Sequence, residues 1–207
     1  VAGKVDVHTH SVPVGWPDLN QTVAPHHDWP WLRVDSEREA TIMVGSSEFR
    51  RIGDSCWAPE VRREAMARSG VSTQVVSPTP VFFNYERHPG EAVKVARVFN
   101  NLARETFADQ GPEFLTVCQV PLQDADLACA ELDRCLADGH VGVEIGNHVG
   151  DRDLDDEGVL QFLTHCAERG APVSCTRGTC PPRHASIGGW GAGWSACPPR
   201  PSSPCCR

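Results

Sequence analysis

His8 and His10 are the residues whose type and spacing point most directly to chemistry. They lie in Val5-Asp6-Val7-His8-Thr9-His10, where β-branched residues alternate with others as in a short buried strand. Side chains two apart on a strand share a face, so the two imidazoles aim at one point. A borderline cation such as Zn²⁺ exploits that arrangement. Ser11 and Pro13 follow, placing the pair where strand gives way to loop. Two polar residues ending a strand would look the same in isolation. Position at the end of the first strand of an α/β pattern favours the metal reading.

The remaining candidates are weaker. His148 ends a predicted strand, where it lines a pocket or simply sits in a loop. His26 and His27 read as loop residues, and His165 falls amid a predicted helix. Of ten cysteines, five (Cys175, Cys180, Cys197, Cys205 and Cys206) crowd the last 33 residues, while Cys56, Cys118, Cys129, Cys135 and Cys166 read as buried thiols. No Cys-x-x-Cys occurs, so neither a zinc ribbon nor a redox dithiol is indicated.

Positioning the histidines requires a scaffold, and the pattern supplies one. Residues 11 to about 57 form a long irregular insertion, rich in Trp and His, with a hairpin expected across Leu32–Val34 and Thr41–Val44. Pro59 opens a helix that Gly70 closes. Strands are expected at Val71–Ser77, Phe114–Val120 and Val141–Ile145. Helices are expected at Gly90 to about Asp109, from Asp124 through Ala137, and over Asp155–Arg169, with a fifth strand entering at Ala171-Pro172-Val173. Strands alternating with helices predict a parallel α/β sheet, whose chemistry sits at the C-terminal strand ends. No Gly-x-Gly-x-x-Gly follows a strand, so dinucleotide binding has no support.

The 207 residues suffice for one sizeable core, and the net charge of −8 argues against a nucleic-acid binder. No apolar run approaches the roughly 20 residues of a membrane span, and no secretory segment is seen, so the expected location is cytoplasmic. From Ser174 the character changes. All 27 acidic and 15 of the 19 basic residues precede it, leaving a tail of Pro, Gly, Ser, Cys, Arg and Trp without periodicity. Ser174–Pro181, back-translated and read one base earlier, is compatible with Val-His-Pro-Trp-Asp-Met-Pro, and Trp194–Pro198 with Leu-Val-Gly-Met-Pro. The expectation is a partial barrel over residues 1–173 and an off-frame, unstructured tail over 174–207.

Six phrases in order carry a family resemblance: Asp6-Val7-His8-Thr9-His10, Glu48-Phe49-Arg50, Trp57-Ala58-Pro59-Glu60, Thr79-Pro80-Val81-Phe82-Phe83, Gln119-Val120-Pro121-Leu122-Gln123-Asp124 and Ile145-Gly146-Asn147-His148. Over residues 4–173 the chain resembles the 2-amino-3-carboxymuconate 6-semialdehyde decarboxylases of the amidohydrolase superfamily. The resemblance implies the N-terminal half of a TIM-type (β/α)₈ barrel. It also implies Zn²⁺ held by His8 and His10, and a substrate carboxylate held by Arg50, with Arg51 as the neighbouring alternative. The implied reaction is non-oxidative loss of CO₂ from a small dicarboxylate semialdehyde, in tryptophan (kynurenine-type) or nitrobenzoate breakdown, by a homodimer.

In that family the third ligand is the histidine of His-Pro-Trp-Asp, present here only off-frame. The catalytic histidine, the ligating aspartate and an arginine from the neighbouring subunit fall beyond this chain. The resemblance therefore implies an incomplete zinc site and an inactive chain. A sister hydrolase, an aromatic-acid decarboxylase and a non-catalytic fragment remain the alternative readings.

Overall fold

A computed structural model describes residues 3–177. Strand β1 (Lys4–Ser11) leads into a short helix α1 (Leu19–Thr22) and three strands, β2 (Pro30–Val34), β3 (Glu39–Val44) and β4 (Ser47–Gly53). Then follow α2 (Pro59–Ser69), β5 (Val71–Pro78), α3 (Pro89–Phe107), β6 (Phe114–Thr116), α4 (Ala125–Ala137), β7 (Val143–Gly146), α5 (Glu157–Arg169) and β8 (Val173–Thr176).

β1, β5 and β6 form one parallel sheet, and β7 and β8 another. A parallel bridge between Cys118 and Val143 joins the two beyond β6, with Cys118 N donating to Gly142 O and Glu144 N to Cys118 O. The outcome is a five-stranded arc, β1-β5-β6-β7-β8, with helices between successive strands: a partial TIM-type barrel. Regular pairing of β6 stops at Thr116, short of the expected Val120. Parallel pairing of β8 reaches Thr176, which pairs with Gly146, so order extends three residues past the change of composition at Ser174. The rest of the expected tail, from residue 178, lies outside the described residues.

Local chemistry explains the element ends. Pro59 takes the first turn of α2, and Gly70 closes it at φ 66°, a left-handed conformation that glycine adopts without a Cβ clash. Asp124 and Asp156 cap α4 and α5 by accepting from the backbone N–H of Leu127 and Gly158. Cys118 and Val120, just beyond β6, and the outward residues of β7 pack under α4 and α5 in a core that also contains Leu132 and Phe162, while Phe114 of β6 packs with Met66, Val76 and Phe107.

The insertion is more regular than its composition suggests. The expected hairpin is present, with Leu32 opposite Ile42, and β4 adds a third antiparallel strand. Trp16 and Trp29 are core residues, packed with Ile42 and with Phe82 and Phe99, whose rings stack 3.7 Å apart. One expectation fails in β1: Val5 and Val7 are 55% and 64% exposed, not buried. Among the described residues β1 is an edge strand, paired only with β5, so nothing covers these side chains.

Candidate metal centre

The ligand-like atoms of His8, His10 and Glu144 lie within 4.8 Å of one another. The two imidazoles meet edge to face, ring centroids 4.8 Å apart. They neither diverge nor pack among apolar side chains, since His8 is exposed and His10 half-buried. A register shift between Asp6 and Thr9 puts one extra residue of β1 against β5. Bulges of this kind re-aim a side chain beside a functional site, and here the bulge contains His8.

Glu144 comes from β7, at the other side of the arc. Its neighbours Val143 and Ile145 face the helices, so strand alternation turns Glu144 to the inner face. Sequence reasoning missed it. The available signal was a carboxylate flanked by Val and Ile in a buried parallel strand, since such groups are almost never fully buried unless paired. Glu144 is 2% exposed, and its Oε1 has no hydrogen-bond partner among the described residues. Burial pushes its pKa up, against the nearby Ser77 hydroxyl and the charge of His8.

His10 shows the complementary effect. Burial chiefly, then the charge of His8, lowers its pKa to about 4, against a contact from the Pro78 carbonyl; Arg50 and Arg62 lower it further. The imidazole is thus neutral at physiological pH, the form that ligates metals. Two imidazoles and a carboxylate with an orphaned oxygen make a donor set that suits Zn²⁺, for which two histidines and a glutamate are an established catalytic combination. The residues present therefore fit a cation, and they number three rather than two.

The strand end is held from behind. Ser77 Oγ lies 3.0 Å from His10 Nδ1 and donates to Thr9 O at 3.2 Å. Arg62, 5% exposed on α2, donates to the carbonyl of His10 and, at 3.4 Å, to that of Cys56. Its Nη1 reaches Gln74 Oε1 at 3.4 Å, while its guanidinium lies 5.5 Å from the ring centre of Phe107. Gln119, between outward-facing Cys118 and Val120, turns a fully buried carboxamide to the inner face, with neither polar atom paired among the described residues.

Arg50 is exposed on β4 opposite Ile42, and its charge acts on both His10 and Cys56. Arg51 pairs instead with Glu39 at 3.5 Å. Among the described residues the other histidines stand outside the cluster. His26 pairs with Glu91 at 3.0 Å and His165 with Asp133 at 2.9 Å, while His148, beyond β7, contacts Asn147 Oδ1 at 2.9 Å. Of Ser174–Pro181, which carries the off-frame His-Pro-Trp-Asp expectation, only Ser174–Arg177 fall within the described residues.

A sequence profile described as "Amidohydrolase" matches residues 5–204. The chain is 31% identical over 171 residues to the 2-amino-3-carboxymuconate-6-semialdehyde decarboxylase of Dictyostelium discoideum, covering 82% of this chain and 47% of that protein. To the enzyme of the same name from Caenorhabditis elegans it is 29% identical over 178 residues, covering 73% and 43%. In fold it resembles the crystal structure of apo IDCase from Metarhizium anisopliae, with a TM-score of 0.65 at 14% identity over 83% of this chain and 49% of that one. The chain spans about half the length of the curated relatives it matches.

Proposed function

Because this chain belongs to the amidohydrolase family, we propose that it is the N-terminal half of a metal-dependent carboxy-lyase. The observation that carries the reading is the convergence of His8, His10 and the orphaned Glu144 carboxylate at the mouth of the parallel strands. We read the cation as Zn²⁺, held by these three residues. When bound, zinc supplies a Lewis acid that acidifies water at neutral pH.

The substrate we propose is 2-amino-3-carboxymuconate 6-semialdehyde, losing CO₂ to give 2-aminomuconate 6-semialdehyde. Support comes from the names of the two relatives and from the placement of Arg50. Its planar guanidinium suits a carboxylate because two parallel N–H groups match the two oxygens. Held there, a substrate carboxylate would lie beside the histidines. The buried carboxamide of Gln119 offers both a donor and an acceptor on the same inner face. The general acid–base histidine and the homodimer belong to the proposed full-length protein. Residues 174–207 we read as an off-frame continuation.

Two preparations test this. The chain of residues 1–207 is expected to hold zinc without turning over the semialdehyde. The protein translated with the frame restored at codon 174 is expected to release CO₂ from it in a zinc-dependent way. Turnover by the first, or none by the second once zinc is loaded, overturns the reading.

A further inference from the structure

Ser77 stands between two of the three groups of the metal centre, and hydrogen-bond accounting fixes what its hydroxyl does. Val76 packs outward with Met66 of α2 and Phe107 of α3, so Ser77 faces the inner side of β5. It is 1% exposed. Two groups lie within hydrogen-bond distance of its oxygen: His10 Nδ1 at 3.0 Å and the carbonyl of Thr9 at 3.2 Å.

A serine hydroxyl has one proton to give and two lone pairs to receive with. The Thr9 carbonyl can only accept. His10 Nδ1 is the one neighbour able to donate. The single hydroxyl proton therefore goes to the Thr9 carbonyl, and the Ser77 oxygen receives the proton on Nδ1. In the opposite arrangement, Ser77 would donate to Nδ1 and the Thr9 carbonyl would lose its donor. The proton of His10 would then sit on Nε2, blocking that lone pair.

We propose that Ser77 is a positioning residue: it donates to Thr9 O and accepts from His10 Nδ1–H, setting the His10 tautomer that leaves the Nε2 lone pair free to hold a cation. This rests on the metal reading above. It adds a physical cause, since a ligating imidazole is oriented by the hydrogen bond at its other nitrogen, and such supports are worth about 10–100-fold in metal affinity. Ser77 touches no reacting atom; it acts through His10.

The test uses the chain of residues 1–207 with accessible thiols alkylated, as wild type, Ser77→Ala and Ser77→Thr. Long-range ¹H–¹⁵N correlation spectra of the metal-free, ¹⁵N-histidine-labelled protein read the His10 tautomer, assigned with His10→Gln. Zn²⁺ affinity is read by competition with a chelating dye. Expected are an Nδ1–H tautomer in wild type, a shift toward Nε2–H in Ser77→Ala, and a loss of zinc affinity of about 10–100-fold that Ser77→Thr restores.

An Nε2–H tautomer in wild type overturns the proposal outright. So does a Ser77→Ala variant in which either the tautomer or the affinity is unchanged. The metal reading fails by a different observation: wild type and His8→Ala binding zinc equally well. The tautomer spectra, taken without metal, decide the role of Ser77 at His10 in either event.

Discussion

The guanidinium of Arg62 donates to the backbone carbonyl of His10, tying α2 to the C-terminal end of β1. The same group holds Cys56 O, at the exit of the insertion, so one buried side chain fastens the strand end and the loop beside it. Burial lowers the Arg62 pKa, and Cys56 and Asp6 beside it offset this only in part. The fixed fork, more than the charge, is what the neighbouring carbonyls use.

Replacing Arg62 by Lys keeps the charge and removes the fork. The expected cost is about 1–3 kcal/mol of folding stability, the range for leaving buried hydrogen-bonding groups unsatisfied. Urea unfolding of the two proteins at pH 7.5 checks it. An unchanged midpoint would show that the carbonyls of His10 and Cys56 find other donors.

His140 makes stability depend on pH. It is 3% exposed, and burial, with the charge of Arg104 next, lowers its pKa from 6.5 to about 4, against an opposing contact from the Asn100 backbone. Between those values the unfolded chain binds a proton that the folded chain refuses. Stability is therefore unaffected by this group above pH 6.5 and falls as the pH drops toward 4, by about 3 kcal/mol in all. His140→Leu is expected to be as stable as wild type at pH 7.5 and more stable at pH 4.5. Equal pH dependence of the two, by urea unfolding, would contradict the assignment.

Arg50 and Arg51 are neighbours with different expected roles. In the frame-restored protein, Arg50→Ala is expected to lower kcat/KM by about 10–100-fold, the loss of a charge-assisted pair of hydrogen bonds. Arg51 is engaged with Glu39, and Arg51→Ala is expected to leave kcat/KM near wild type. Steady-state kinetics on the semialdehyde distinguish the two, and reversed effects would move the carboxylate contact to Arg51.

Much of this was legible in the sequence, for local reasons. His8 and His10 lie two apart on one strand, so alternation predicts that they share a face, although the bulge at His8 is not visible in the spacing. Pro59, Gly70, Asp124 and Asp156 are chemically suited to the helix ends they occupy, so the helices were readable within a few residues. Glu144 was not legible as a site residue. Only the closure of the arc brings β7 round to β1, and spacing carries no trace of that.

The strand β4 was hidden for a different reason. Ser-Glu-Phe-Arg-Arg-Ile-Gly is largely exposed and shows no alternation, so its pairing with β3 is a tertiary fact. Val5 and Val7 misled in the opposite sense. Their β-branching suits a buried strand, but the described residues provide no neighbour on the outer edge of β1.

The cysteines of the tail make metal content alone an ambiguous readout, because thiolates also bind zinc. Zinc K-edge X-ray absorption on the loaded chain of residues 1–207 asks which atoms hold the ion. The account predicts a shell of nitrogen and oxygen only, at about 2.0–2.1 Å, with outer-shell imidazole scattering that His8→Ala and His10→Ala diminish. A sulfur shell at about 2.3 Å, unchanged by those substitutions, would contradict it.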